Sequence, residues 1–305
     1  MTVRIGISGW RYEGWRGVFY PTGLPQREEL AFASRAFDTI EINGSFYGLL
    51  RPQHYDAWYA ETPPGFVLAV KAPRYITHVK RLRDVDRALA NFFASGVLRL
   101  REKMGPLLWQ LPPNFEFDAE RIDGFLRLLP RDSQEEAAAL ARRRDSGFMK
   151  GRTALAVDAP RRWRHAIEVR HDSFITPRFI ELLHRHGVAV VVADTAGKWP
   201  WIEDVTADFV YLRLHGHEEL YASGYSDAAL SGWARRIGAW HEGSQPGDAR
   251  LADGTGEPSR RPRDVFAYFD NDAKVHAPFD AAALRAMLRL PPLEHTPQRR
   301  HPAGS

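Results

Sequence analysis

The sequence predicts a single-domain α/β protein with a TIM-like (β/α)8 barrel. Eight short apolar runs cross the chain, helical patterns separate them, and most of the runs end in a polar residue. Strands that alternate with helices favour a parallel sheet, and eight such units close into a barrel. Polar groups at the carboxyl ends of barrel strands mark the face where binding sites lie. The pattern therefore predicts the position of a site together with the fold.

The strands and helices are predicted from apolar runs, amphipathic periodicity and capping residues. The strands are Val3–Ser8, Thr39–Asn43, Val67–Lys71, Leu107–Gln110, Ala166–Arg170, Val190–Asp194, Phe209–His215 and Val265–Asn271. The helices are Glu28–Phe37, Gln53–Ala60, Val85–Lys103 with a break near Gly96, Ala119–Leu129, Pro177–His186, Ser226–Trp240 and Phe279–Leu290. A cap at Asp118 and the sequence Thr176-Pro177 predict helix starts, and Gly187 predicts a helix end.

The barrel is expected to occupy residues 1–290, with insertions near 131–163 and 242–263. The first insertion is predicted to hold a helix and a loop, and the second is rich in Gly, Ser, Pro and charge. Residues 291–305 are expected to form a disordered tail.

Composition excludes several kinds of site. The 305 residues include no cysteine, which excludes disulfides, thiolate metal sites and a cysteine nucleophile. The net charge of +4 favours anionic partners only weakly. The first strand begins at Val3, leaving no room for a signal peptide, and no run approaches the roughly 20 apolar residues that span a bilayer. We therefore expect a cytoplasmic protein with no membrane partner.

Side chains two residues apart share a face of a strand, so polar residues at alternate positions near a strand end lie on the same side of the sheet. If these faces point inward, three carboxylates at the barrel mouth meet three cations. The carboxylates are Glu41, Glu168 and Asp194, and the cations are Lys71, Arg170 and Arg213. Buried unpaired charges cost several kcal/mol, so these groups must pair with each other, with a metal or with a ligand.

Two interpretations of this mouth stay open. One is a satisfied ion network that fills a polar barrel interior. The other is a preorganised pocket in which Glu41 or Glu168 is a general acid or base and Arg213 holds an anionic group. His215 is either a proton-transfer group near neutral pH or a hydrogen-bonded structural residue. The catalytic candidates are thus Glu41, Glu168, Arg213 and His215.

No cofactor is predicted, and a divalent metal is an alternative. Its ligands would be Glu41, Glu168, Asp194 and His215, because carboxylates and imidazole suit Mg, Mn or Zn. The three cations at the same mouth would compete with a metal for these carboxylates.

Aromatic side chains follow several of the strands. They are expected either to stack on a ligand together with arginine or to give the loops a small core. The substrate-binding candidates combine these rings with the polar strand ends. They are Trp10, Tyr12, Asn43, Tyr47, Lys71, His78, Gln110, Arg170, Asp194, Tyr221, Tyr225 and Asn271.

The stretch from Lys71 to Lys103 holds nine basic and three acidic residues. It is either a solvated face or a surface that attracts phosphates, which makes nucleic acid an alternative partner to a small polar or anionic ligand.

Several motifs resemble the family called DUF72, or YecE-like. They are Gly9-Trp10-Arg11-Tyr12 to Phe19-Tyr20-Pro21, Glu41-Ile42-Asn43 with Phe46-Tyr47, Trp58 with Thr62-Pro63, Phe66 to Lys71, Ile76-Thr77-His78, Gln110-Leu111-Pro112-Pro113, Glu168-Val169-Arg170-His171, Arg213-Leu214-His215-Gly216 with Tyr221 and Tyr225, and Tyr268-Phe269-Asp270-Asn271. The resemblance implies a TIM-like barrel and no defined activity. It suggests kinship with metal-dependent barrel isomerases and apurinic-site endonucleases, and it is compatible with nucleic-acid binding. The chain departs from the pattern at Asp270, where asparagine is expected, and the resemblance assigns that position no role.

The leading expectation is an enzyme that uses general acid–base chemistry on a polar or anionic substrate at the barrel mouth. The alternatives are a nucleic-acid-binding protein and a degenerate barrel that serves as a structural or partner-binding module.

Overall fold

Eight parallel strands hydrogen-bond in chain order, and the eighth pairs with the first to close a barrel. The computed structural model describes residues 1–252 and 260–297. The strands are β1 Val3–Ser8, β2 Thr39–Ile42, β3 Val67–Lys71, β4 Met104–Gln110, β5 His165–Glu168, β6 Ala189–Asp194, β7 Phe209–Leu214 and β8 Asp264–Phe269. The predicted TIM-like (β/α)8 fold is confirmed.

Helices connect the strands on the outside of the barrel. They are α1 Glu29–Ala36, α2 Gly44–Tyr47, α3 Pro52–Glu61, α4 Asp86–Ala94, α5 Ala119–Arg127, α6 Gln134–Arg142, α7 Pro177–His186, α8 Asp227–His241 and α9 His276–Met287. Asp118 caps α5 by accepting a hydrogen bond from the Arg121 amide. Gly187 ends α7 in the left-handed conformation, with a φ of 61° that glycine adopts without strain.

Two layers of apolar side chains lie on opposite sides of the strands. The inner layer fills the barrel below its mouth and includes Ala69, Leu108, Tyr211 and Tyr268. The larger outer layer lies between strands and helices, and the remaining apolar residues of each strand belong to it. Because neighbouring residues of a strand face opposite sides, the inner layer fixes which polar strand ends face the barrel axis.

Gly6 of β1 lies where the barrel has no room for a side chain. A Cβ atom built at this position would lie 1.8 Å from the Thr39 carbonyl oxygen of the neighbouring strand. The close approach of β1 and β2 at this level therefore requires glycine.

The predicted insertions and tail are described in part. The first contains α6, which packs against α4. In the tail region, His295 stacks on Phe32 of α1 with ring centroids 4.5 Å apart. Residues 253–259 of the second insertion and residues 298–305 of the tail lie outside the described residues.

Among the helices of the described chain, none combines the length and the apolar character that crossing a bilayer requires.

Replacing Gly6 by alanine tests the close approach of β1 and β2. We expect Gly6→Ala to lower the free energy of unfolding by about 2 kcal/mol or more, because the added methyl meets backbone that must shift. Urea denaturation followed by circular dichroism measures the change. Gly14→Ala is the matched control, since nothing lies within 4 Å of a Cβ at Gly14. Equal stabilities for the two variants would contradict the expectation.

Candidate active site at the barrel mouth

Each of the eight strands contributes one inward-facing residue at its carboxyl end, and together these residues form a layer across the barrel mouth. We call it the polar layer, because all of its members except the alanine are polar or charged. Its members are Ser8, Glu41, Lys71, Gln110, Glu168, Ala193, Arg213 and Asp270. Asp270 directly follows β8 and continues the inward alternation of Phe266 and Tyr268.

The fully buried guanidinium of Arg213 lies at the centre of the polar layer. Its Nε and Nη2 donate to the two oxygens of Glu41 at 3.1 and 2.9 Å. Its Nη1 donates to Glu168 Oε2 at 2.8 Å, and Nη2 also donates to Asp270 Oδ2 at 2.8 Å. One arginine thus binds three carboxylates, which is the satisfied network that the first interpretation anticipates.

Glu41 has hydrogen-bond donors on both of its oxygens besides Arg213. The Tyr211 hydroxyl donates to Oε2 at 2.6 Å, and the Ser8 hydroxyl donates to Oε1. Ser8 in turn accepts a hydrogen bond from Asn43 Nδ2 at 2.9 Å. A carboxylate held by this many donors is an electrostatic anchor, and it has little capacity left for proton transfer.

Glu168 and Asp270 stay ionised at any physiological pH. Burial raises the pKa of Glu168, but the Arg170 and Arg213 guanidiniums outweigh burial and hold that pKa well below its usual range. Burial likewise raises the pKa of Asp270, and Arg213 and His215 hold it well below the usual range. Neither carboxyl is therefore a suitable general acid near pH 7.

His215 lies beside the ion network as a neutral ring. Burial lowers its pKa, and the charge of Arg213 lowers it further. Its Nδ1 lies 3.0 Å from Asp270 Oδ2, and its Nε2 lies 3.4 Å from Arg213 Nη1. This arrangement suits a proton on Nδ1 and a lone pair on Nε2.

Lys71 is the member of the polar layer that lacks an ionic partner. Its Nζ forms no ion pair with a carboxylate in the described residues, and it lies 4.3 Å from the centre of the Phe46 ring. Burial and the charge of Arg213 lower the pKa of Lys71 to about 8, although Glu41, Asp270 and Glu168 raise it in part. The amine is therefore close to its titration point near neutral pH.

Two more basic residues, Arg170 and His78, lie near Lys71, and only Arg170 is charged at pH 7. Arg170 Nε donates to Glu168 Oε1 at 2.7 Å, and its guanidinium lies 3.7 Å from the centre of the Trp199 ring. His78 lies on a short π-type turn, Tyr75–Val79, that follows β3. Burial, Lys71 and Arg170 lower the pKa of His78 to about 4, so its ring is neutral at pH 7.

Asp272 is a second group at the mouth that titrates near neutral pH, and it lies close to the Tyr12 hydroxyl. Burial and the neighbouring Asp270 raise the pKa of Asp272 to about 6, while the Tyr12 hydroxyl lowers it in part. The Tyr12 hydroxyl donates to the Ser8 carbonyl at 2.6 Å. This contact requires Gly9, because a Cβ there would lie 2.6 Å from the Tyr12 oxygen and the φ of Gly9 is +79°.

Two amide oxygens at the mouth accept no hydrogen bond within the described chain. They are Oε1 of Gln110, which is 4% exposed, and Oδ1 of Asn43. Buried polar atoms normally have partners, so these oxygens are available to a donor on a bound molecule.

Asp194, Asn271 and Tyr225 lie apart from the polar layer. The inward placement expected for Asp194 is wrong: Ala193 fills the barrel at this level, so Asp194 points outward with Val190 and Val192. Asn271 Nδ2 donates to Asp280 of α9 and to the Ser223 carbonyl. The buried Tyr225 hydroxyl accepts a hydrogen bond from the Gly216 amide.

The predicted aromatic residues have different surroundings. Trp10 is buried against Trp58 with ring centroids 5.5 Å apart, in the small core of the β1 loop. Tyr47 is 75% exposed beside the mouth. The Tyr221 ring lies 5.2 Å from His215, and its hydroxyl accepts from Arg170 Nη2 at 3.4 Å. Trp10 therefore belongs to a small loop core, while stacking of the other rings on a ligand stays a prediction.

The alternative metal set does not assemble as a ligand group. Asp194 points away, and Arg213 occupies the place between Glu41 and Glu168 where a cation would lie. Within residues 1–252 and 260–297, no cluster of three His, Asp or Glu side chains has a geometry that could hold a metal ion.

The basic stretch from Lys71 to Lys103 does not form one surface. Lys71 and Arg74 follow β3 and lie at the mouth, whereas Arg101 and Lys103 precede β4 and lie at the opposite end of the barrel. Lys103 Nζ is held there by the carbonyls of Tyr59 and Thr62.

Sequence reasoning missed three residues of the site: Ser8, Asp270 and Asp272. Extending the two-residue alternation of Phe266 and Tyr268 by one step would have identified Asp270. Asp272 follows in the next loop, and nothing in the strand pattern indicates that its carboxyl turns toward the mouth.

Comparisons with known proteins agree with this architecture. The chain matches the family described as "Protein of unknown function DUF72" over residues 4–303. It is 26% identical to the protein YunF of Bacillus subtilis over 151 residues, which are 48% of this chain and 52% of that protein. It is 24% identical to the protein YecE of Escherichia coli over 246 residues, or 80% of this chain and 84% of that protein.

Solved structures show the same fold. A DUF72 family protein from Thermotoga maritima superposes with a TM-score of 0.71 at 24% identity, covering 95% of this chain and 100% of that one. A DUF72 family protein from Enterococcus faecalis superposes with a TM-score of 0.68 at 14% identity, covering 98% of this chain and 100% of that one.

Removing the central guanidinium tests the ion network. We expect Arg213→Met to lower the free energy of unfolding by about 3–5 kcal/mol, because three carboxylates then remain buried without their cation. Chemical denaturation at pH 7 measures the loss. Arg127→Met is the control, since the Arg127 side chain is 67% exposed in its pair with Asp123 and should change stability by less than about 0.5 kcal/mol. Similar losses in both variants would contradict a central role for Arg213.

Replacing Lys71 should stabilise the protein. The folded-state pKa of Lys71 is lowered from 10.5 to about 8, so the folded protein holds a disfavoured charge below pH 8. We expect Lys71→Met to raise the free energy of unfolding by about 1–3 kcal/mol at pH 7. As the pH rises from 8 to above 10, the wild type loses this charge and the difference should shrink. Denaturation of both proteins at pH 7 and pH 10 measures it, with the exposed Lys150→Met as control; a less stable Lys71→Met at pH 7 would refute the expectation.

Proposed function

The chain belongs to the family described as "Protein of unknown function DUF72", so its function has to be inferred from its site, and we propose an enzyme that binds a small anionic substrate at the barrel mouth and works by general acid–base chemistry. The observation that carries the proposal is the unpaired ammonium of Lys71 beside Arg170 and His78. A cation that is partly desolvated and has no carboxylate partner is a binding group for an anion.

Arg170 supports anion binding on the same side of the mouth. Its Nε is bound by Glu168, and its guanidinium is stacked on Trp199, so the group is held in one orientation. Its Nη1 has no acceptor within the described residues. A guanidinium fixed in this way binds a carboxylate or phosphate at a lower entropic cost than a mobile surface arginine.

Proton transfer is assigned to Asp272 in place of Glu41 and Glu168. Glu41 is saturated by donors, and Glu168 is held ionised by two arginines. Asp272, with a pKa raised to about 6, is close enough to neutrality both to accept and to release a proton. Acid–base sites typically contain neighbouring groups whose pKa values are moved apart by their surroundings. Here the pKa of Asp272 lies below 7 and that of Lys71, about 8, lies above it.

Arg213 and its carboxylates then have a positioning role. They fix the inner surface of the mouth, while the groups at its rim contact the substrate. Proton transfer by His215 is less favoured, because its ring is buried against Arg213 and Asp270.

The nucleic-acid alternative has one favourable feature, an apolar groove beside the mouth. The groove has a volume of about 620 Å³, and the exposed rings of Tyr47, Tyr75 and Phe148 line it next to Arg74 and Arg152. Because the basic stretch is divided between the two ends of the barrel, it does not form a continuous track for a phosphate backbone, and we favour a small anion.

Calorimetric titration with inorganic phosphate and with lactate tests the proposal. We expect Arg170→Met to weaken binding of these anions by about tenfold or more, as befits a charge-assisted contact. The affinity of the wild type should fall as the pH rises through about 8, since Lys71 then loses its proton. Arg178→Met is the control, because Arg178 is exposed and paired with Glu181 on α7.

Absence of small-anion binding, or unchanged binding by Arg170→Met, would refute the proposal. If single-stranded DNA instead bound with an affinity that fell steeply with salt, the nucleic-acid alternative would replace it.

A further inference from the structure

We propose that the Lys71 amine is a nucleophile that forms an imine with an aldehyde or ketone carrying a carboxylate or phosphate group. The inference rests on the proposed function for one point, the binding of the substrate's anionic group by Arg170. It adds the class of the reacting group and a covalent intermediate.

The Lys71 nitrogen is engaged by no polar partner within the described residues. Nζ lies over the face of Phe46, which packs edge-on against His78 at 5.1 Å. Within the described residues it donates no hydrogen bond and forms no ion pair. No hydrogen-bond acceptor therefore holds this nitrogen in its protonated form, in which it has no lone pair for attack.

Lys103 is a useful contrast, because it is a buried lysine, whereas Lys71 is half-buried. Its Nζ donates to the carbonyls of Tyr59 and Thr62, both at 2.6 Å, and to the Thr62 hydroxyl at 3.1 Å. That amine is saturated and structural. Burial alone therefore does not distinguish Lys71; the absence of acceptors does.

Burial favours the neutral amine of Lys71, and the charges around it come from several elements and oppose one another. Arg213 of β7 also favours the neutral amine, whereas Glu41 in β2, Glu168 at the end of β5 and Asp270 after β8 favour the ammonium. These carboxylates are engaged by Arg213, and the ring of His78 is neutral. With burial and Arg213 outweighing the carboxylates, about one Lys71 side chain in ten is neutral at pH 7, against roughly one in three thousand for an ordinary lysine.

The proposed step balances without a further reactant. The amine lone pair attacks the carbonyl carbon, the N–C bond forms, and the carbonyl π electrons move to oxygen. A proton passes from nitrogen to that oxygen to give a carbinolamine, which loses water to form the imine. The protonated imine withdraws electrons from the adjacent carbon, which makes a proton on that carbon easier to remove.

Reductive trapping with glyoxylate tests the inference. Glyoxylate carries an aldehyde and a carboxylate, and sodium borohydride reduces its imine to a stable carboxymethyl amine that peptide mass mapping locates. The chain has six lysines: Lys71, Lys80, Lys103, Lys150, Lys198 and Lys274. At pH 7 we expect Lys71 to be modified at least about tenfold faster than the exposed Lys150, and Lys103 to stay unmodified.

Two variants separate this inference from the proposed function. Lys71→Arg keeps a cation but has no amine nucleophile, so it should bind lactate and lose the rapid adduct. Arg170→Met should slow trapping with glyoxylate while leaving trapping at Lys71 with the uncharged glycolaldehyde.

Modification of Lys71 at the rate of Lys150 would overturn the inference, even if lactate still bound and the proposed function stood. Rapid trapping of Lys71 without lactate binding would support the nucleophile and refute the anion site.

Discussion

The barrel mouth depends on one buried arginine that binds three carboxylates. Arg213 contacts Glu41, Glu168 and Asp270 at the same time, and none of these groups lies next to another in the chain. Removing four charges from water costs several kcal/mol for each ion, and the close hydrogen bonds among them must offset that cost. The network therefore tolerates little displacement of the strand ends that hold it, and it sets the geometry of every group above it.

Because the groups around Arg213 use their hydrogen-bonding capacity on one another, they determine which other groups at the mouth can react. Glu41 and Arg213 have the residue types of a catalytic site, but their hydrogen-bonding capacity is used within the protein. The available capacity lies at the rim, in the Lys71 amine, in Arg170 and in the unpartnered oxygen of Gln110. The charges around Arg213 neutralise one another and hold the floor of the mouth rigid, while the groups above them keep unpaired hydrogen-bonding capacity. Such a preorganised environment can bind a substrate's charge without rearrangement of the protein.

The strands were predictable from sequence to within three residues at each end, because each is a short apolar run that ends in a polar residue. The orientation of the strand ends was less predictable. The strand that ends at Asp194 is apolar on both faces, so its own sequence does not reveal whether the aspartate faces inward. The predicted balance of three carboxylates and three cations survives, with Asp270 in the place assigned to Asp194. The lack of a partner for Lys71 depends on distances between side chains of different strands, and no pattern along the chain contains those distances.

The ion network also orders events during synthesis of the chain. Glu41 precedes Arg213 by 172 residues, and Ser8 precedes it by 205. At the usual elongation rates of about 5–20 residues per second, roughly 10–30 s pass between the synthesis of Glu41 and that of Arg213. Until then the early strands carry an acidic group that cannot be buried at a low free-energy cost. The ion network cannot be complete before β7 and the residue that follows β8, Asp270, have been synthesised.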